Sequence, residues 1–281
     1  MNITAINTIV RTALKEDAAY HDITTQTTID RHSRSIARII AGEKGVLCGT
    51  ALVIAVFRTL DPKASFQLHA KEGQHFSKGK KVLTVKARTR AILSGERVAL
   101  NLLSYASGIA TLTSQFVKAA GAQNVKIMDT RKTLPGLRVL ARMAVRCGGG
   151  VNHRFDLADM VMIKDNHRTV LNGSPLAAVI QQVRRKTSKK IIVEVDRLNQ
   201  FREVLDAHPE VILLDNMTPQ QLHQAVMIKR RGKYRTALEA SGGITLQTIH
   251  KIAQTGVDRI SIGALTHAAR GIDFSLEISH G

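Results

Sequence analysis

The chain has 281 residues, enough for one large domain or two ordinary ones, and its 44% apolar and 22% charged content is that of a globular protein. The longest uncharged apolar run, ALVIAVF from Ala51 to Phe57, is far too short to span a bilayer, and no cationic segment followed by an apolar one opens the sequence, so the expectation is a cytoplasmic chain with no membrane partner. A net charge of +19 favours anionic partners, but Trp is absent and aromatic residues make up only 4%, which argues against stacking platforms for nucleic acid.

From Ser33 to Leu93 the pattern reads as strand RSIARIIA, helix ALVIAVFRTL and short strands SFQLHAKEG and KVLTVKA, with turns at EGQ and SKGKK. This resembles a small open α+β sandwich. A long helical stretch follows from Ser94 to about Ala120, with Leu100, Leu103 and Leu112 on one face and a break expected at Ser107-Gly108. Cys48 and Cys147 lack CxxC or CxxH spacing and read as packing residues, with neither a disulfide nor a zinc site suggested.

After Gln123 strands and helices alternate. The strands are VKIMD, GVNH, MVMIKD, IIVEVD, VILLDN, ALEAS and RISIGAL; the helices between them include PGLRVLARMAVRC, PLAAVIQQVRRK, TPQQLHQAVMIKR and TLQTIHKIAQTG. Alternation at this spacing implies a buried parallel sheet with crossover helices, and so many units suggest an α/β barrel. The basic runs RRKTSKK and KRRGKYR follow helices, where cations complement the macrodipole and stay solvated.

Nearly every strand of this half ends in a polar group: Arg131 and Lys132, His153, Lys164, Glu194 and Asp196, Asp215, Glu239 and Ser241. In a barrel those ends share the face where active sites lie. Arg131, Lys132, His153, Arg154 and Lys164 form a cationic cluster suited to carboxylate or phosphate. Alternation along IIVEVD puts Ile192, Glu194 and Asp196 on one side. Glu194 and Asp215 either share a magnesium ion with substrate phosphates or neutralise the neighbouring cations. The glycine turn ASGG (Ala240 to Gly243) and SIGAL (Ser261 to Leu265) each precede a helix and are candidate phosphate loops, whereas Gly148 to Gly150 read as a helix stop.

DTRKTLPGLR, VRCGGGVNHRFDLADMVMIKDNH, VILLDN, LEASGGIT and ISIGALTHAAR, in that order, resemble the quinolinate phosphoribosyltransferases, and the similarity runs from about Asp22 to Leu276. The resemblance implies an N-terminal α/β sandwich followed by an incomplete α/β barrel, with expected bounds 1–122 for the sandwich and its linking helix, 123–270 for the barrel, and 271–281 for a strand returning to the N-terminal domain. It implies reaction of quinolinate with phosphoribosyl pyrophosphate to give nicotinate mononucleotide, pyrophosphate and carbon dioxide, with Mg2+ as cofactor. Arg131, Lys132, Thr133, His153, Arg154 and Lys164 would surround quinolinate, and Glu194 and Asp215 would face the ribose and the metal, directly or through substrate phosphates. Lys132, Lys164, Glu194 and Asp215 would be catalytic. Ser241, Gly242 and Gly243, and Ile262, Gly263 and Ala264, match the phosphate loops. Arg97, in GERVALN, matches an arginine that the family supplies from the partner chain of a homodimer, with assembly to a hexamer left open. Three departures stand out: Ile192 where many members carry a glutamate, Leu134 where threonine is usual, and His21 where glycine is common.

Two other classes fit parts of the sequence. A related pyrophosphorylase could share the fold and take another acceptor base, though VMIKDNH and the full cationic set speak against it. A nucleic-acid-binding protein would use the net charge, and its binding would fall steeply with salt.

Overall fold

The computed structural model of the protein describes residues 3–121 and 124–280. It divides into two compact units, the first made of Met1–Ser114, Thr133–Gly149 and Ala264–Gly281 and the second of Gln115–Lys132 and Gly150–Gly263. The domain boundary expected between 122 and 123 lies outside the described residues. In chain order the elements are α1 (Ile3–Glu16), α2 (Ile23–Thr28), β1 (Arg34–Ala41), β2 (Gly45–Val46), α3 (Thr50–Leu60), β3 (Ser65–Leu68), β4 (His75–Phe76), β5 (Lys81–Arg88) and α4 (Thr89–Ala120). There follow β6 (Lys126–Met128), α5 (Arg138–Cys147), β7 (Val161–Ile163), α6 (Asp165–Val170), α7 (Leu176–Lys186), β8 (Ile191–Val195), α8 (Leu198–Leu205) and β9 (Val211–Asp215). The rest are α9 (Pro219–Arg231), β10 (Ala237–Ser241), α10 (Ile249–Ala253), β11 (Arg259–Ser261), α11 (Ala264–His267) and β12 (Phe274–His280). No helix among the described residues is long and apolar enough to cross a membrane.

The first unit is built on a four-stranded sheet in the order β12-β1-β5-β3. Strict alternation in β1 buries Ser35, Ala37, Ile39 and Ala41 on one face, and the strand is antiparallel to β5 on one side and β12 on the other. Helix α3 contributes fully buried Leu52, Val53, Val56 and Phe57. Helix α4 runs unbroken through Ser107-Gly108. Gly108 serves close approach instead: a Cβ there would lie 2.2 Å from the carbonyl oxygen of Arg270. Gly148 is placed likewise, 2.3 Å from the carbonyl oxygen of Ala110, so it does more than stop α5. These two backbone-to-backbone contacts explain why 133–149 and 264–270, which the sequence assigns to the barrel, group with the first unit.

The second unit is a six-stranded parallel sheet in the order β6-β11-β10-β9-β8-β7. Its edge strands β6 and β7 are not paired with each other, so the barrel is not closed. Strands β8 and β9 are buried on both faces, as crossover helices require. GVNH forms no strand; Val151 makes a single parallel bridge to Met128. On one face Ile192, Val211 and Leu213 pack with Met160, Met162 and Ala237 into an apolar floor. The registers Glu194↔Leu213 and Glu239↔Leu213, with Ser241↔Asp215 two residues further, put Glu194, Asp215, Glu239 and Ser241 on that same face toward the strands' C-terminal ends. An apolar layer therefore carries a polar one.

Candidate active site

Of the residues singled out by sequence, Arg131, Lys132, His153, Arg154, Lys164, Glu194, Asp215, Ser241, Gly242, Gly243, Ile262 and Gly263 belong to the second unit, while Arg97, Thr133 and Ala264 belong to the first. Arg97 is exposed on α4, Thr133 accepts a hydrogen bond from Arg138 Nε at 3.2 Å, and Ala264 opens α11.

The segment after β6 is anchored by Asp129, which is fully buried. Its carboxylate accepts the His153 N–H and the Asn152 Nδ2–H, both at 2.6 Å. This bond draws the chain from 150 to 154 against the end of β6, and it delivers two side chains there. Arg154 is only 7% exposed and donates from Nη1 to the Met160 carbonyl at 3.0 Å. Burial lowers the pKa of its guanidinium, and the charge of Arg131 lowers it further. Arg131 Nε is itself buried with no hydrogen-bond partner. Two guanidinium groups thus repel each other where water is scarce, an arrangement that an anion would relieve.

His153 lies beside Arg154 in the same segment. Its Nδ1 accepts the Arg154 N–H at 2.7 Å, which leaves the ring proton on Nε2. Nε2 lies 3.1 Å from Oε1 of Glu239, a residue with no exposed surface whose two oxygens make no aligned hydrogen bond. The pair is close enough for electrostatic attraction but poorly aligned.

Opposite charge gathers on β8 and β9. Glu194 is 8% exposed, and its Oε2 accepts from Lys164 Nζ at 2.7 Å. Burial raises the pKa of Asp215, and the nearby charge of Glu194 adds to the rise while Lys164 opposes it. The carboxylates are therefore neighbours that repel, and Lys164 is the cation that offsets the repulsion. Asp196 lies past the end of β8 and pairs with Arg168 at 3.7 Å, so it is no part of this group.

Asn216, quoted in VILLDN but given no role, connects Asp215 to the glycine turn. Its Nδ2 donates to Asp215 Oδ2 at 2.7 Å and its backbone N–H to the Ser241 carbonyl at 2.9 Å. Gly242, at φ +94°, passes so close over it that a Cβ would sit 2.1 Å from Asn216 Oδ1. The helix after this turn begins only at Ile249, so the turn's own N–H groups, and not a helix N-terminus, face any ligand here. Ser261 Oγ, on β11, is also buried and unpartnered.

The N-terminal domain of quinolinate phosphoribosyl transferase matches residues 22–107, and its C-terminal domain matches 109–277. A probable nicotinate-nucleotide pyrophosphorylase (carboxylating) of Bacillus subtilis is 39% identical over 282 residues, covering 99% of this chain and 95% of the relative. Quinolinate phosphoribosyltransferase (decarboxylating) 2b of Nicotiana tabacum is 39% identical over 289 residues, 96% of this chain and 81% of that protein. The crystal structure of NadC from Streptococcus pyogenes superposes with a TM-score of 0.93 at 36% identity, covering 100% of this chain and 99% of that one.

Proposed function

The chain belongs to the quinolinate phosphoribosyl transferase family and transfers a phosphoribosyl group from phosphoribosyl pyrophosphate to quinolinate with loss of carbon dioxide, and we propose how its residues divide that work. The observation that carries the reading is the pair of like-charged couples in the second unit: Arg131 with Arg154, which calls for an anion, and Glu194 with Asp215, which calls for a cation.

Arg131, Lys132, Arg154 and Lys164 hold the adjacent carboxylates of quinolinate, with His153 kept in orientation by Glu239 beneath it. So held, the pyridine nitrogen lies in line with C1 of the ribose. The nitrogen's lone pair forms the new bond as the C1–oxygen bond to pyrophosphate breaks, and the sugar passes through oxocarbenium character. Glu194 and Asp215 fit a hard cation, being two close carboxylates on one sheet face, and they would hold magnesium together with substrate phosphates. Its chemistry there is neutralisation of charge on the leaving pyrophosphate. The glycine turn Ser241–Gly243 offers backbone N–H groups to phosphate oxygens, whereas the Ile262 N–H is held by the Met128 carbonyl at 2.9 Å, so Ile262 and Gly263 would line the phosphate side without a donor from Ile262. Once the ring nitrogen is cationic, the bond from C2 to its carboxylate breaks, carbon dioxide leaves, and C2 takes up a proton to give nicotinate mononucleotide. No protein nucleophile is required.

Assay of the purified protein with quinolinate, phosphoribosyl pyrophosphate and magnesium tests this directly, and nicotinate, with one carboxylate, should be a poor substrate. Equal turnover of the two acids would show that the cationic cluster has been misassigned. We further infer a homodimer in which Arg97, exposed on α4, completes the site of the other protomer. Arg97→Ala and Lys132→Ala should each be nearly inactive alone. Random mixing of the two should restore roughly a quarter of wild-type activity, since about half the dimers are mixed and each of those has one whole site. Activity no higher than the parents' average assigns Arg97 to its own chain or to no site.

A further inference from the structure

The first unit brings together two residues that sequence spacing kept apart. The sulfurs of Cys48 and Cys147 and a carboxylate oxygen of Glu72 all lie within 4.8 Å of one another. Cys147 Sγ donates to Glu72 Oε2 at 3.8 Å. Each of the three sits on a fixed backbone. Ser107 Oγ accepts from the Cys48 N–H and donates to its carbonyl, both at 3.1 Å. The Glu72 carboxylate takes the Thr50 N–H at 2.7 Å and the Thr50 hydroxyl at 2.6 Å on Oε1, with the Gly49 N–H shared between both oxygens. Oε1 is thus committed to the start of α3, while Oε2 faces the thiols. Cys48 is buried and Cys147 is partly open to solvent, which gives the cluster an entrance.

We propose that Cys48, Glu72 and Cys147 bind one soft divalent cation of the zinc type, with water as the fourth ligand. Tetrahedral zinc with Zn–S bonds of about 2.3 Å holds its sulfurs about 3.8 Å apart and a sulfur and an oxygen about 3.5 Å apart. The Cys147–Glu72 separation of 3.8 Å is within a few tenths of an ångström of its edge, and the other two, each within 4.8 Å, ask for a closing of at most about 1 Å. A disulfide would need the sulfurs drawn to about 2.05 Å. Thiolate ligands select zinc over magnesium, so the site is chemically distinct from Glu194 and Asp215. The hydrogen bond between the two thiols lowers the pKa of Cys147 and, with burial, raises that of Cys48. The cation would displace the protons of both thiols, and both sulfurs would then be thiolates. Bound there, it would fasten the end of α5 to the start of α3.

The full chain, reduced and stripped of metal by a chelator, is titrated with zinc alone in the presence of excess magnesium. The expected result is one zinc per chain, proton release on binding, protection of both thiols from a thiol-modifying reagent, and a higher Tm than the metal-free protein. Cys147→Ser should lose the protection, the proton release and the Tm shift while keeping the metal-free Tm. If that variant does not fold, wild-type protein methylated at Cys147 takes its place and should lose the same three signals. Zinc uptake unchanged when Cys147 is replaced or methylated, or thiols that stay reactive with zinc bound, overturns the site.

Discussion

Strand β9 is bracketed by two carboxylates with opposed surroundings. Glu210, just before its first residue, is disfavoured by burial as an ion, but the Ile191 N–H at 2.7 Å and Arg184 at 3.2 Å more than offset this and hold its pKa below the ordinary 4.5. Asp215, at the other end, is pushed above 3.8 by burial and by Glu194. Five residues apart, one ion supports the fold and the other works against it. The same contrast holds for cations. At the N-terminal end Lys190, Arg235 and Arg259 line an open cavity of about 400 Å³, whereas at the C-terminal end Arg154 and Arg131 are crowded and partly buried. In the proposed reading the working end is the one where like charges crowd, even with Asp159 and Asp156 near Arg154 and Lys164 on Glu194.

The largest effect should come from Asp215→Asn, which removes one of the repelling carboxylates. We expect kcat/KM to fall roughly 100- to 1000-fold when phosphoribosyl pyrophosphate is varied, the scale of losing one charge-stabilising group. Stability should move the other way. An acid whose pKa is raised on folding favours the folded state below its unfolded value, and that contribution is lost as pH rises through the raised value. The asparagine escapes this loss, so thermal melts should show the variant above wild type at neutral pH and level with it below about 3.8. Lower activity with no gain in stability at neutral pH would break the contrast.

Glu239→Gln keeps the shape beneath His153 and removes the charge. A drop in kcat/KM of about 10-fold is expected, about 1.4 kcal/mol, from loosening the electrostatic hold on the His153 ring, and unchanged kinetics would leave Glu239 a structural residue. At the opposite end Glu210→Gln should leave kinetics alone and destabilise by about 0.5–1 kcal/mol in urea melts. Because the Glu210 pKa is depressed, that difference should be full above 4.5 and vanish as pH falls through the depressed value. Smallest of all, Arg235→Ala should change neither turnover nor, beyond about 0.5 kcal/mol, stability. A clear loss of activity would show that the cavity's cations also serve the reaction.

The strand-end placement of these charges was legible because its signal is local: an apolar run followed at once by a charge places that charge at a strand end. Arg131, Lys164, Glu194 and Asp215 were found in this way. Asp129, Asn216 and the burial of Glu239 were not, since each acquires its meaning from a partner on another strand or loop. The helical cations of α7 and α9 fall in their last turns as expected. Gly108 reads as a helix breaker in one dimension and as a contact surface in three. Cys48 and Cys147 show the limit most plainly: no spacing rule links them, because the link is the packing of α5 near the start of α3. The short stripe Ile9, Val10 and Leu14 of α1 was too brief to raise a helix from the sequence.

The pairing of β12 with β1 bears on how the protein is made. Strand β1 sits inside its sheet only because β12 covers its outer edge, with Ser35 opposite His280 and Ala41 opposite Phe274. Roughly 230 residues separate Ala41 from Phe274, so at translation rates of about 5–20 residues per second a ribosome leaves that edge uncovered for about 10–50 s. During that interval the hydrogen-bonding edge of RSIARIIA is open to any other nascent strand. The first sheet to begin emerging is thus among the last to be completed, and a nascent chain of this protein should depend on a chaperone at β1 until Phe274 and its neighbours have left the exit tunnel.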